Sequence, residues 1–226
     1  MGHGHWIVEL GKYSFNMDTL VTMWAAMLFM IVLAFLATRN LSIIPNKLQL
    51  AFEGFLGFFW KLTDNLMGKE GRKHIPIIAS LFLFIVTANL MGQIPFKLIE
   101  LKHGEIASPT NDINMTAALA IIVLVYYIAA GLQKKKFKFI LHDFSPINIF
   151  MMLLELLEMV TRPLTLALRL FGNILAGEIL ITAMLGLCAY FLPLPFMFLE
   201  LMVACIQALV FSMLTLVYIS TAIGEE

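Results

Sequence analysis

Charge is what this sequence has least of. Charged residues make up only 13% of its 226 positions, about half the share of a water-soluble domain (~25%). Hydrophobic residues make up 61% and the mean hydropathy is +0.90. One globular core cannot hold that much apolar side chain, so a soluble protein is excluded and the surplus must face lipid. The net charge is zero, which excludes the basic footprint of a nucleic-acid binder. Cysteine is nearly absent: Cys188 and Cys205 both lie in apolar stretches, have no CxxC-type spacing, and read as core packing rather than a disulfide or metal pair. The two histidines of the opening MGHGHW read as a wet terminus, not a metal site. No GxxxxGK[ST] phosphate loop occurs, so no nucleotide site, cofactor or stand-alone catalysis is expected. Internal repeats are also missing, which disfavours a transporter built from inverted halves. No signal peptide or cleavable extension is evident, which favours a bacterial inner membrane.

What the chain does have is a series of long apolar runs. A crossing needs about 20 apolar residues at 1.5 Å rise each. Residues 19–37, 75–93, 115–132, 146–190 and 196–223 qualify. The last two exceed one perpendicular crossing, which predicts a pair of long tilted helices turning back near Leu192-Pro193-Leu194-Pro195. Residues 46–67 scatter Lys47, Glu53, Lys61 and Asp64 among aromatics, the pattern of an amphipathic helix lying in the interface. The fold class is therefore an all-α integral membrane protein. A single membrane domain over 1–226 holds five crossing helices plus one interfacial helix, the last two crossings forming a hairpin. Lys and Arg set the orientation. Arg39, Lys47, Lys61, Lys69, Arg72 and Lys73 fall on one side together with Lys134, Lys135, Lys136 and Lys138, against Lys12, Lys97 and Lys102 on the other. That predicts an N-terminus outside and a cytoplasmic C-terminus.

The fourth long helix carries a polar stripe. At about 100° per residue, Glu155, Glu158, Arg162, Arg169 and Asn173 fall within a band roughly 60° wide, while Glu178 points to the other side of the helix. Glu155, Glu158 and Arg162 sit near the cytoplasmic end, where carboxylates reach water and Arg162 can pair with Glu158 at i,i+4. Arg169 lies deeper and has no oppositely charged residue at i±3 or i±4. An arginine cannot shed its charge, and at the centre of a spanning helix it costs roughly 2.5–3.5 kcal/mol on insertion scales. Folding the last two helices as an antiparallel hairpin sets Gln207 opposite Arg169 and Glu200 opposite Glu178 in one register. Two facing carboxylates nearer the outer surface suit a proton entry site, because each raises the other's proton affinity. From the residues alone, a secondary transporter with an intramembrane substrate site is the alternative.

Three motifs carry a resemblance. Arg169-Leu170-Phe171-Gly172-Asn173 followed by Ala176-Gly177-Glu178, the segment IQALVFSMLTLVYIS over 206–220, and SPTNDIN over 108–114 ahead of a span resemble subunit a of the F-type ATP synthases. With the order of segments and the length, the resemblance covers nearly the whole chain. It implies the membrane stator of the F0 sector, with two offset half-channels passing protons (Na+ in some relatives) to and from the carboxylates of a c-subunit ring. It implies that Arg169 faces that ring and bars a direct leak, that Asn173 and Gln207 flank Arg169, and that Glu178 lines the outer half-channel. Glu200 stands where members carry histidine, a carboxylate or a small polar residue. Asp112 and Asn114 match the loop at the channel mouth, with helix capping as the structural reading of the same two residues. Glu155, Glu158 and Thr161 would line the cytoplasmic exit. Implied partners are the c ring, the peripheral-stalk subunit b, the rest of the ATP synthase, and the bilayer. No metal is implied.

Overall fold

The computed structural model describes residues 7–10, 13–39, 41–93, 108–135, 146–187 and 193–224. Lys12, Lys97, Lys102, Lys136, Lys138, Cys188, Leu192, Glu225, Glu226 and the two N-terminal histidines lie outside the described residues, as do the side chains of Lys135 and Glu155. Two short strands come first. β1 (Ile7–Leu10) and β2 (Tyr13–Asn16) pair antiparallel with Ile7 opposite Asn16. Four residues are too few for strand alternation to stand out in the sequence, and the hairpin was not foreseen.

The rest is helical. Helix α1 (Met17–Thr38) holds 22 residues free of Gly and Pro, about 33 Å of rise against a hydrocarbon core of about 30 Å. Helix α2 (Lys47–Met67) stops at Gly68, whose φ of 59° and ψ of −153° only glycine adopts without strain. A 3-10 segment (Gly68–His74) leads into α3 (Ile75–Gln93). A second 3-10 turn (Pro109–Asn111) precedes α4 (Ile113–Lys135). Helices α5 (Pro146–Leu187) and α6 (Pro193–Ile223) run 42 and 31 residues, and each starts on a proline, whose missing N–H costs nothing in the first turn. Five stretches are long and apolar enough to cross a membrane: α1, the stretch containing α2 and α3, α4, α5 and α6.

Lipid removes the usual hydrophobic drive for helices to associate, so close approach and hydrogen bonds must do it. Small residues accordingly sit at the contacts: Ala26, Ala79, Ala88, Ala120, Ala204, Ala208 and Ala222 are all buried. Larger side chains of α3, α4, α5 and α6, among them Ile78, Ile85, Val123, Leu166, Leu170, Phe211 and Leu216, fill the centre, and Phe59 joins them from α2. The outward faces stay apolar, as Trp24, Leu28 and Phe35 on α1 and Phe198 and Met202 on α6 illustrate. Cys205 belongs to that outward set and is exposed. Core packing was expected of it, but in a membrane chain apolar neighbours mark lipid-facing and buried positions alike.

Helix α5 contains Pro163. Proline has no N–H to donate, so the carbonyl of Met159, four residues earlier, loses its helical partner. The Tyr127 hydroxyl of α4 points at that carbonyl from 3.5 Å. Tyr127 also stacks near Tyr218 of α6, their ring centroids 6.2 Å apart, and the Arg162 guanidinium lies over the Tyr218 ring at 5.3 Å. The helical break is thus caged by residues of three helices.

Ionic contacts gather the 3-10 segment and its neighbours at one end of the bundle. Arg72 grips Asp64 through both carboxylate oxygens, at 3.0 and 2.8 Å, while its guanidinium covers Trp60. That grip holds the Asp64 carboxyl below its ordinary range. Lys134 at the end of α4 pairs with Glu70, lowering the Glu70 carboxyl likewise. Between them His74 is buried, with Nδ1 2.8 Å from the Tyr126 hydroxyl and Nε2 lacking a partner among the described residues. Burial, then the charge of Lys73, pushes its imidazole below the ordinary range. The sign follows directly. A depressed folded value means the unfolded chain binds the proton first, so His74 contributes stability above about pH 6.5 that is lost as pH falls. Replacing it by a neutral ring, His74→Phe, should flatten the decline of thermal stability as pH falls below about 6.5. Parallel melting curves for both proteins across that range would refute this reading.

Candidate functional site

The polar residues meet where α5 and α6 pack and where the turn before α4 closes over them. Helix α5 presents Arg169, Asn173 and Glu178 one after another because the run between them lacks a breaker until Leu187. Gly177 sets the approach to α6. A Cβ there would come within 2.6 Å of Glu200 Oε1 and 2.7 Å of its Cδ, so only hydrogen lets the Glu200 carboxylate lie on the α5 backbone. Glu200 is buried against this glycine, one residue from Glu178. The two carboxylate-bearing residues therefore stand at one level of the hairpin, and both engage other groups.

Gln207 is likewise buried, and its Oε1 accepts from Asn173 Nδ2 at 2.8 Å. The hairpin register drawn from sequence set Gln207 opposite Arg169. In the structure its hydrogen bond goes one helical turn further, to Asn173, because side chains on antiparallel helices meet by their lean as well as their level. Gln207 Nε2 is buried with no partner among the described residues. Arg169 itself is exposed on the outside of the bundle, and none of the described residues forms an ion pair with it. Its neighbours Leu166 and Leu170 are fully buried, whereas Leu168 is exposed like Arg169. The arginine thus stands on the face turned away from this chain's own core.

Towards the end of α3 and the start of α4, the segment SPTNDIN forms a bonded turn. Thr110 Oγ1 donates to Asn89 Oδ1 at 2.8 Å, Asn89 Nδ2 donates to the Ala204 carbonyl at 3.2 Å, and Ser108 Oγ donates to the Ala88 carbonyl at 3.2 Å. Gly92 lets Ser108 sit so close that a Cβ would meet it at 2.2 Å. Asp112 Oδ1 accepts from the backbone N–H of Asn114 at 2.9 Å, the geometry of an N-cap on α4. Asp112 also accepts from Asn16 at 3.2 Å and Thr19 at 3.5 Å, tying in the start of α1. So the structural reading of Asp112 and Asn114, helix capping, is realised. The residue of this motif that reaches the carboxylates is Asn111, whose Nδ2 donates to Glu178 Oε2 at 2.5 Å. Sequence reasoning quoted Gly177 and Asn111 only as parts of motifs, gave neither a role of its own, and passed over Asn89. An amide and a glycine carry no charge, and only the tertiary contact reveals them.

Away from these groups, Glu158 pairs with Arg162 at i,i+4 over 2.5 Å, with the Glu158 carboxylate 60% exposed. Thr161 is exposed and donates to the Glu158 carbonyl at 3.3 Å. These two lie on the far side of Pro163 from Arg169. The structure does not bring them together with Glu178 and Glu200, but it keeps two polar groups on one helix, separated by the arginine. Such an arrangement can pass a charge in steps at two levels while a fixed cation stands between.

Comparison with known proteins shows the family. Residues 20–220 match the protein family described as ATP synthase A chain. The ATP synthase subunit a of Gloeobacter violaceus is 43% identical over 224 residues, covering 98% of this chain and 90% of that relative. The chain belongs to the ATP synthase subunit a family: a multi-pass membrane subunit of the F0 sector that translocates ions as part of the stator and is not catalytic alone.

Proposed function

We propose that Arg169 divides two half-channels in this subunit and pairs in turn with the carboxylates of a c-subunit ring. The observation that carries the reading is the exposure of Arg169 on the outer face of α5 with no ion-pair partner among the described residues. A permanent cation at membrane depth needs an anion, and an outward-facing one takes it from a neighbouring chain. Glu178 and Glu200, with Asn173 and Gln207 behind them, form the outer path, and Asp112 and Asn114 stand at its mouth. Glu155, Glu158 and Thr161 line the cytoplasmic exit. Proton is the coupling ion in this reading, with Na+ the alternative, and subunit b docks elsewhere on the chain.

The same reading puts the N-terminus outside and the C-terminus in the cytoplasm of a bacterial cell, with α2 in the interface. Two sets of contacts support alternating ends. Glu70 with Lys134, and Leu66 with Ser220, join the ends of α2, α4 and α6. Asp112 with Asn16, and Ser108 with Ala88, join the start of α1 to the end of α3 at the start of α4. The Lys-rich and Arg-rich segment 68–74 belongs to the first set, which the positive-inside rule assigns to the cytoplasm.

Thiol labelling tests the two paths. With Cys188 and Cys205 replaced by serine in the whole complex, Asn114→Cys should react with a membrane-impermeant maleimide only from outside. Thr161→Cys should react only from the cytoplasmic side. Each modification should block ATP-driven proton pumping. Labelling of both from one side would overturn the two-channel topology.

A further inference from the structure

We propose that Asn111 is the positioning residue of the outer proton path, a two-faced amide that serves Glu178 in both of its protonation states. The inference rests on the reading that Glu178 carries protons. Asn111 Nδ2 donates to Glu178 Oε2, as suits an ionised carboxylate, which can only accept. The other half of the same amide is idle: Asn111 Oδ1 is buried and has no partner among the described residues. A buried carbonyl oxygen left unbonded is unfavourable, and each such group needs a reason.

Protonation supplies the reason. When a proton from outside water binds Glu178 Oε2, that oxygen becomes an O–H donor and no longer suits an N–H. A half-turn of the Asn111 carboxamide exchanges its two ends, and Oδ1 accepts from the new hydroxyl. When the proton moves on, the amide turns back and its N–H again holds the carboxylate. No other bond changes, and the proton is the only species gained or lost. An amide is suited to this because its two ends are nearly the same size but opposite in hydrogen-bond sense.

The turn around Asn111 is fixed on both sides, which keeps the amide in reach. Its backbone N–H donates to the Ser108 carbonyl at 3.0 Å, and the Thr110–Asn89–Ala204 chain anchors the preceding residue to α3 and α6. The capping carboxylate of Asp112 anchors the following one. Among the described residues, the charged groups at this end of the packed elements are Glu200 on α6, Asp112 beside Asn111, and Asp18 at the start of α1. Arg169 lies about 13 Å further along α5. Arg169 can only donate, and Glu200, Asp112 or Asp18 when ionised can only accept, whereas the neutral amide of Asn111 offers a donor and an acceptor at once.

The test is the dependence of proton flux on external pH in vesicles holding the whole complex. Asn111→Leu keeps the bulk and removes both faces. Asn111→Asp keeps the shape, so it also serves where leucine does not assemble, and it replaces the donor with a second carboxylate oxygen, whose charge shifts Glu178 in the same direction. Both should slow flux several-fold and raise the external pH of half-maximal flux by about one unit, since a carboxylate without its donor holds the proton more tightly. Asn111→Gln, which retains both faces, should recover most of the wild-type profile. In a Glu178→Gln background, Asn111→Leu should produce no further shift. A uniform loss of flux with an unchanged profile would mean a purely structural role and would overturn the proposal, as would wild-type profiles in both variants. If Glu178→Gln alone left flux untouched, the parent reading would fail instead.

Discussion

Arg169→Ala should abolish ATP-driven proton pumping in vesicles containing the whole complex, while passive proton leak through the membrane sector should rise. The expected size follows from what the substitution removes. Truncating one partner of a desolvated ion pair costs about 3–5 kcal/mol, and each 1.36 kcal/mol is tenfold in rate. Coupled flux should therefore fall by about two to four orders of magnitude. Lysine is not an equal substitute, because it is a compact, strongly hydrated charge without the planar fork. Arg169→Lys should recover only part of the activity. Fluorescence quenching of a pH-sensitive dye upon ATP addition reads both variants, and retained pumping in Arg169→Ala would remove the arginine from the motor.

Glu178→Gln and Glu200→Gln should each slow coupled flux by about tenfold, and the double variant should stop it. General acid–base groups contribute about 10²- to 10⁴-fold, but two carboxyl groups at one level let either cover part of the other's loss. Glutamine preserves size and hydrogen bonding, so the contact with Gly177 and the bond from Asn111 survive. Loss of function then reports on the proton rather than on packing. Interacting carboxylates titrate as a pair, so each single variant should also change the shape of the pH profile, from a broad two-step curve to a narrower one-step curve. Unchanged flux at every pH in both single variants would take them out of the path.

How much of this was legible in the sequence follows from physical range. Long apolar runs, the Lys and Arg asymmetry and the polar stripe on one helix face are local patterns, and the helices, five of them long and apolar enough to span, follow from them. The Glu158–Arg162 pair was legible for the same reason, being one turn apart. The approach of Glu200 to Gly177, the neighbour of Glu178, depended on a hairpin, which the Pro-rich corner marks. Asn111 was not legible, since its partner lies 67 residues away and an uncharged amide in a turn looks like capping. The Tyr127 bond to the Met159 carbonyl was out of reach too, although Pro163 announced that a carbonyl would be left over. Cys205 and the β1–β2 hairpin show the other limit. In a lipid solvent, hydrophobicity does not say which way a side chain faces, and four residues do not make a period.

Arg169 on an outward face also bears on how the complex comes together. A lone copy of this chain in the bilayer carries that charge at a cost of roughly 2.5–3.5 kcal/mol. Docking against an anionic ring, as proposed, would relieve it, a bias of about a hundredfold toward the assembled state over the free subunit. On the proposed reading, the residue that keeps two paths apart would thereby make solitude unfavourable for the chain that bears it, linking subunit and ring thermodynamically before any rotation begins.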